Sequence, residues 1–310
     1  MTGSLNTPVL LLLFNRPEVT VAVFDAIRRA APARVYLAAD GPRGDRPGEA
    51  ARCVEARSIV SRVDWPCAVK TLFREENLGC KHAVSSAIDW FFEHEAEGII
   101  LEDDCLPGES FFPFARELLE RYRDDHRIAM ISGDNFLQGR RRTGYSYYFS
   151  RYAHIWGWAT WRRAWRWYDH GMKLWPELRE GGWLLDILGD PAAASYWTRV
   201  FDETHADRNG SWAFRWMFSI WAQSGLAILP NANLVSNIGF GEQATHTVSQ
   251  GSALAQLRTA PMAFPLGHPP YVIRDGAADA HTQSRVFSAP PFWRRVANRA
   301  RRALMPATGR

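Results

Sequence analysis

The sequence predicts an α/β fold. Short apolar runs alternate with helical patterns four times over the first hundred residues, an order that builds a parallel sheet covered by helices on both faces. The runs lack polar alternation, which is typical of strands buried on both faces. With 310 residues, 46% of them apolar, the chain can form one large domain or two packed halves.

The predicted elements follow one another without long gaps. Beyond the fourth strand, a helix with apolar residues at helical spacing and then another apolar run continue the alternation. Strands are predicted at Val9–Phe14, Arg34–Ala39, Cys67–Phe73, Gly98–Leu101 and Ile128–Ser132, and helices at Glu18–Ala30, Gly48–Val63, Cys80–His94 and Ser110–Tyr122.

The composition changes after Gln138, where tryptophan becomes frequent. Most of these rings are expected to fill the core, while one or two exposed rings would suit stacking on the apolar face of a sugar. We divide the chain into residues 1–138 and 139–255, two halves of one domain, and a C-terminal extension, residues 256–310. The tryptophans are Trp156, Trp158, Trp161, Trp165, Trp167, Trp175, Trp183, Trp197, Trp212, Trp216 and Trp221.

Three consecutive carboxylates, Glu102, Asp103 and Asp104, follow the fourth predicted strand. Open α/β sheets bind ligands in the crevice at the carboxyl ends of their strands, so these side chains are expected to face a ligand. Mg²⁺ and Mn²⁺ take oxygen ligands from a few carboxylates and complete their coordination with substrate phosphates. We therefore predict a divalent cation, Mn²⁺ or Mg²⁺, here rather than a solvated acidic turn.

Other polar residues follow neighbouring strand ends. Asn15 and Arg16 come after the first strand, Asp40 follows the second, and Asn77-Leu78-Gly79 opens a helix with Lys81 in its first turn. No phosphate-binding G-x-x-x-x-G-K-[ST] loop and no dinucleotide-binding G-x-G-x-x-G after the first strand occur, so those two classes are excluded. With a cation, this set fits a diphosphate leaving group, such as that of a nucleotide sugar.

Several segments together resemble one family. Across about Pro8 to Val248 the chain resembles bacterial nucleotide-diphospho-sugar transferases of the glycosyltransferase family 2-like, or haemolytic-protein-like, group, which are similar in layout to animal N-acetylglucosaminyltransferases. The resemblance implies a GT-A fold. The segments are Leu13-Phe14-Asn15-Arg16-Pro17, Ala39-Asp40-Gly41, Asn77-Leu78-Gly79, Leu101-Glu102-Asp103-Asp104, Asn237-Ile238-Gly239-Phe240-Gly241 and Ala244-Thr245-His246-Thr247.

The resemblance also implies how the two halves divide the work. Residues 1–138 would bind the nucleotide sugar and the metal, and residues 139–255 would face the acceptor. Asp104 would hold Mn²⁺ or Mg²⁺ between the diphosphate oxygens. Glu102 and Asp103 would contact hydroxyl groups of the ribose or the sugar.

Further donor-binding roles come from the same resemblance. Asp40 would read the nucleobase, most often uracil, and Arg16 would bind the phosphates. His246, on a late loop, would close over the diphosphate or the metal. The expected donor-binding residues besides Glu102 and Asp103 are Asn15, Arg16, Asp40, Asn77, Lys81 and His246.

The catalytic base is not where the resemblance would put it. An inverting transfer needs a carboxylate that takes the proton of the acceptor hydroxyl. The family pattern is W-D-[YF]-x-W, and this chain has Trp212-Ala213-Phe214-Arg215-Trp216, in which Ala213 cannot abstract a proton. The remaining candidates are Asp134, Asp202 and Glu203, and we favour Asp134 because it follows a strand.

The expected function is a metal-dependent transfer of a sugar from a nucleoside diphosphate, UDP in the first instance, to a polysaccharide or lipid-linked glycan acceptor with inversion. Two alternatives stay open. A metal-dependent phosphohydrolase or nucleotidyltransferase would use the same acidic cluster to hold phosphates. A non-catalytic adaptor with a nucleotide-sugar fold would explain Ala213.

The net charge of +4 originates at the C-terminus. Residues 281–310 contain seven arginines and no acidic residue, so the preceding 280 residues carry a net charge of −3. Residues 291–304 are predicted to form a short basic amphipathic helix of the kind that contacts anionic membranes, with a solvated terminus as the alternative. No recognisable nucleic-acid-binding module is present, so no nucleic-acid partner is expected.

The cellular compartment follows from the cysteines and the N-terminus. Cys53, Cys67, Cys80 and Cys105 lack C-x-x-C spacing and are expected to be reduced thiols. The first residues lack the features of a signal peptide, and the first apolar run is too short to span a bilayer. We expect a cytoplasmic protein whose tail can reach the inner face of the cell membrane.

Overall fold

The computed structural model describes residues 5–240 and 257–287. In these ranges the strands are β1 Val9–Leu13, β2 Arg34–Ala39, β3 Ala68–Phe73, β4 Glu97–Glu102, β5 Cys105–Pro107, β6 Ile128–Ser132, β7 Tyr147–Ser150, β8 Trp158–Trp161, β9 Leu226–Pro230 and β10 Val235–Asn237. The helices are α1 Pro17–Ala30, α2 Glu49–Arg57, α3 Gly79–His94, α4 Phe111–Arg121, α5 Arg162–Trp165, α6 Trp175–Glu180, α7 Trp183–Leu188, α8 Pro191–His205, α9 Trp212–Ala222 and α10 Gly276–Val286, with a 3₁₀ helix at Ser58–Arg62.

Within the described residues, eight strands form one sheet in the order β3-β2-β1-β4-β8-β6-β9-β7. Strands β1 to β4 pair in parallel, and so do β6 and β9. Strand β8 lies between β4 and β6 and is antiparallel to both, and β7 is antiparallel to β9. The predicted α/β class with a mostly parallel sheet is therefore confirmed.

Sequence pattern located the early elements closely. The predicted helix at Gly48–Val63 is α2 followed by the 3₁₀ helix, and the other predicted elements agree with the observed ones to about one residue at each end. The insertion of β8 between β4 and β6 was not predicted. Its residues are a buried Trp-Ala-Thr-Trp run, which composition alone assigned to a tryptophan-rich core.

Both faces of the sheet are covered by helices. In β1, Leu10 and Leu12 pack into one core with α3, α8 and α9, whereas Val9, Leu11 and Leu13 pack into the opposite core with α1 and α4. This alternation is the period-2 geometry of a strand buried on both sides. Most of the tryptophans fill the first core, as expected, and Trp183 on α7 is an exception at 51% exposure.

The strand order shows at which edge of the sheet a ligand is expected to bind. Successive connections run from β1 to β2 to β3 in one direction, and then β4 pairs with the other side of β1. The sheet therefore reverses its order between β1 and β4, and ligands of open α/β sheets bind at such a switch point. The residues that follow β1, β2 and β4 converge on this edge.

A second, two-stranded sheet joins the end of β4 to the end of the second half. Strand β5 pairs antiparallel with β10, and this register sets Asn237 opposite Cys105. Just before β10, the Leu234 amide donates to the Gly133 carbonyl at 2.8 Å, and the Gly133 amide donates to the Gly157 carbonyl at 2.7 Å. Gly133 thus links β6, the start of β8 and the approach to β10.

We predict that Gly133→Ala destabilises the protein. A Cβ at this position would meet a Val235 methyl group, lie 2.7 Å from the Phe111 ring and lie 2.8 Å from the Gly157 carbonyl oxygen. Such overpacking costs about 1–3 kcal/mol, measured as the free energy of unfolding in urea. Gly144→Ala is the control, since nothing lies within 4 Å of its Cβ, and equal losses in the two variants would contradict the prediction.

Candidate active site

A cavity of about 520 Å³ opens at the switch point. Its floor is formed by the ends of β1, β2 and β4, and one wall by the first turns of α3. A further part of the wall is formed by Trp156 and by Ser211 to Phe214 at the start of α9. Polar and charged groups therefore line the sheet side, whereas aromatic rings line much of the wall contributed by the second half.

Arg16 joins the loop after β1 to the acidic triplet after β4. Its Nη2 forms an ion pair with Asp103, and its Nη1 lies 3.0 Å from Asp104 Oδ2. No described residue donates a hydrogen bond to the carboxylate of Glu102, which also lines the cavity. One guanidinium therefore faces three carboxylates, and the cluster has excess negative charge when all three are ionised.

The pKa values of the cluster are shifted by burial and by the neighbouring charges. Burial, followed by the charges of Asp104 and Asp103, raises the pKa of Glu102 to about 8. Burial also raises the pKa of Asp103 to about 6, although Arg16 opposes the rise. For Arg16, burial lowers the pKa, but the two aspartates outweigh it and the net pKa is raised. A further positive charge would lower the cost of ionising the cluster.

The segment after β10 packs directly on Asp104. The Ile238 amide donates to the Asp104 carbonyl at 2.8 Å, and Asn237 Nδ2 donates to Asp104 Oδ1 at 3.4 Å. A Cβ on Gly239 would overlap Asp104 Oδ2 and lie 2.7 Å from Arg16 Nη1, so only glycine fits at this approach. This contact joins the Asn237-Ile238-Gly239 motif to the acidic triplet, 133 residues away along the chain.

The donor set limits which kind of metal site is feasible. Within residues 5–240 and 257–287, no three His, Cys, Asp or Glu side chains form a ready cation cluster. An all-protein cage is therefore excluded for this part of the chain. Mg²⁺ sites instead often use one or two carboxylates together with substrate phosphates. Asp104 fits that type of site, because it lines the cavity and has negatively charged neighbours.

Asp40 lies in the cavity wall but has a structural role that sequence did not predict. Its Oδ1 accepts from the amides of Gly41 at 3.0 Å and Leu78 at 2.9 Å. Its Oδ2 accepts from the Gly79 amide and from Asn77 Nδ2, both at 3.0 Å. A carboxylate has about four lone-pair sites, so all are used. Its acceptors hold the start of α3, and the expected contact of Asp40 with the base stays a prediction.

Two other predicted donor-binding residues do not line the cavity. Asn15 donates from Nδ2 to Glu49 at 3.0 Å, and its carbonyl accepts from Arg52. Lys81 Nζ lies 2.6 Å from Asp207. Asn15 is thus held by the first residues of α2, and Lys81 by the turn after α8. The predicted residues that do meet around the cavity are Arg16, Asp40, Asn77, Glu102, Asp103 and Asp104.

None of the three candidate bases lines the cavity. Asp134 is fully buried, where it accepts from the Trp156 amide at 3.1 Å and lies 2.8 Å from His154 Nδ1. Asp202 lies on α8, where it accepts from Trp175 and Arg179 of α6. Glu203 follows Asp202 on α8. The structure thus places all three away from this cavity, and the identity of the base stays a prediction. Ala213 does line the cavity, so its methyl group occupies the position where the resemblance expects an acid.

Sequence reasoning missed two arginines that line the cavity, Arg43 and Arg74. Glu49 orients Arg43 through bonds of 3.0 Å to Nε, and Arg43 lies 5.6 Å from the centre of the Phe14 ring. Arg74 Nη2 donates to Ser86 at 2.7 Å. Arg74 directly follows β3, so the rule that located Arg16 and Asp40 would also have found it. No comparable signal marks Arg43.

Some predictions fall outside the described residues. His246 and the basic segment at residues 291–304 are among them, so their expected contacts with diphosphate and membrane stay predictions.

The cysteines, all in described positions, are free thiols. Within residues 5–240 and 257–287, every helix is too short or too polar to cross a bilayer.

Comparison with known proteins gives partial matches. No family model and no curated protein matches the sequence. HddC from Yersinia pseudotuberculosis is 12% identical, over 51% of this chain and 77% of its own, with a TM-score of 0.32. CMP:2-keto-3-deoxy-manno-octonic acid synthetase complexed with CTP is 14% identical, over 56% of this chain and 83% of its own, with a TM-score of 0.31. Matches of this strength assign neither a family nor an activity.

We predict that Arg16→Ala strongly destabilises the protein, because it leaves the buried Asp103 carboxylate without its partner. Breaking a buried ion pair in this way costs about 3–5 kcal/mol, measured as the free energy of unfolding in urea at pH 7.5 in the presence of EDTA. Arg28→Ala is the matched control, since it removes an exposed Arg–Asp pair from the other end of the same helix. A similar loss in both variants would contradict the prediction.

Proposed function

We propose that this chain is a metal-dependent glycosyltransferase with a GT-A fold, which uses a uridine diphosphate sugar as the donor and a glycan or lipid-linked glycan as the acceptor. One observation carries the proposal: the acidic triplet, with Arg16 as its partner, lines the cavity at the switch point of the sheet. A site with excess negative charge that is accessible to ligands favours a divalent cation and the diphosphate that accompanies it.

The polar wall suits the donor. A cation bound at Asp104 would neutralise charge on the leaving diphosphate. Arg43 and Arg74 line the same wall, where their guanidinium groups can donate to phosphate or carbonyl oxygens. Glu49 holds Arg43 in place, which reduces the entropy lost when a ligand binds.

The aromatic wall suits a sugar. Trp156, Trp212 and Phe214 line the part of the cavity that the second half of the chain contributes. The apolar faces of pyranose rings pack on aromatic side chains, while their hydroxyl groups need polar partners such as Asn209 and Ser211, which line the same region. This division supports a donor on the sheet side and an acceptor beside α9.

We expect UDP and Mn²⁺ together to raise the melting temperature. A ligand at a hundred times its dissociation constant stabilises the folded state by about 2.7 kcal/mol, which a thermal-shift assay detects. Asp104→Asn should remove the increment that depends on Mn²⁺ and leave the protein folded. Asp124→Asn, which changes an exposed acid after α4, is the control. No shift with any nucleoside diphosphate and metal would overturn the proposal.

A second candidate function has one specific observation in its favour. Ala213 lines the cavity, and the carboxylates that line it among the described residues are Asp40 and the acidic triplet, none of them on the α9 wall. A protein that binds a nucleotide sugar without transferring it would fit this wall. Such an adaptor would keep the donor site and lack a general base near the acceptor.

Product analysis separates these candidates. We expect UDP release from UDP-sugars in a panel of glycan and lipid-linked acceptors to depend on the acceptor, and Asp104→Asn to abolish it. Release of inorganic phosphate instead would indicate a phosphohydrolase, and release of pyrophosphate from a nucleoside triphosphate would indicate a nucleotidyltransferase. Tight UDP binding with no turnover in any of these assays would favour the adaptor.

A further inference from the structure

The polar groups around Asp40 show which residue remains free to read a nucleobase. The four lone-pair sites of its carboxylate accept from Gly41, Leu78, Gly79 and Asn77 at 2.9–3.0 Å. A base N–H could bond to Asp40 only by displacing one of these donors, and three of them are backbone amides. Leaving a buried amide unpaired would offset the gain.

Asn77 is the neighbour that retains an unused acceptor. Its Nδ2 donates to Asp40 Oδ2 at 3.0 Å and to the Gly41 carbonyl at 2.7 Å, so both amide hydrogens are engaged. Because both partners are acceptors, the amide cannot be flipped, and Oδ1 is identified without ambiguity. No described residue donates to Oδ1, and Asn77 lines the cavity.

We infer that Asn77 Oδ1, rather than the Asp40 carboxylate, accepts the N3–H of a uracil base. The inference rests on the proposed function and names the residue that selects its nucleotide. Uracil presents one N–H between two carbonyl groups. The cavity is lined by a neutral acceptor, Asn77, and by two guanidinium donors, Arg43 and Arg74, and this set matches the pattern. Cytosine presents an unprotonated N3, which would face Oδ1 as a second acceptor.

Asp40 then acts as a positioning residue. It fixes the amide plane of Asn77 through the 3.0 Å bond to Nδ2, and it holds the start of α3 through the amides of Leu78 and Gly79. A fixed acceptor selects among bases more sharply than a mobile one, because a mismatched base then leaves it unpaired. Base selection thus depends on Asn77, and the rigidity of the loop depends on Asp40.

A double-mutant cycle between protein and ligand tests the assignment. Dissociation constants for UDP, 3-methyluridine diphosphate and CDP are measured by calorimetry with Mn²⁺, using the wild type and Asn77→Ala. We expect the wild type to bind UDP about tenfold more tightly than either analogue, the value of one hydrogen bond to a fixed partner. Asn77→Ala should reduce both ratios to below about twofold.

Asp40→Asn is the companion variant. It should lower the midpoint of urea unfolding and weaken the binding of all three nucleotides by a similar factor. The preference for UDP over CDP, measured as the ratio of their dissociation constants, should therefore stay above about fivefold. If Asn77→Ala does not fold, Asn77→Ser replaces it, since its hydroxyl can still donate within the loop. Far-ultraviolet circular dichroism checks folding in each case.

The outcomes are distinct. If no nucleoside diphosphate binds, the proposed function fails and the assignment fails with it. If UDP binds but the wild type discriminates less than twofold against both analogues, only the assignment is overturned. The assignment is also overturned if Asn77→Ala keeps the wild-type preference for UDP over the two analogues, or if Asp40→Asn removes that preference.

Discussion

The ion pair between Arg16 and the acidic triplet is the interaction on which the candidate site depends. It connects the loop after β1 to the turn after β4, the two neighbouring strands between which the sheet reverses its order. The crevice at this point would otherwise contain three carboxylates close together. Arg16 offsets part of that charge, while burial and the neighbouring carboxylates raise the pKa values of Glu102 and Asp103.

Much of the fold could be predicted from sequence, because strands buried on both faces are marked by unbroken apolar runs. The same logic located Arg16, Asp40 and Asp104, since residues that follow neighbouring parallel strands meet at one edge. It could not assign their hydrogen bonds. The partners of Asp40 lie 37 to 39 positions away or next to it, and the amides of Leu78 and Gly79 belong to a helix start whose approach depends on packing.

The acceptor side was the least predictable part of the site. Asp134 follows a strand, as expected of a residue at the edge, but it is buried and supports the Trp156 amide instead. Arg215 reads as an exposed helix residue, yet its guanidinium is buried and donates to the carbonyls of His170, Ser211 and Thr204. The bond to Ser211 is local, but those to Thr204 and His170 connect α9 to segments 11 and 45 positions away, and together they fix the start of α9 and the aromatic wall.

The antiparallel strand β8 has a consequence for how the chain reaches its native state. Strand β4 belongs to the first half, yet among the described residues the backbone groups on one of its edges pair with Trp158–Trp161, and β6 pairs with the other edge of β8. A polypeptide cut near residue 138 would leave one edge of β4 and both edges of β6 unpaired, and open strand edges template aggregation. A nascent chain therefore cannot complete its sheet until the ribosome has released the tryptophan-rich half, so the two halves are expected to fold as one cooperative unit.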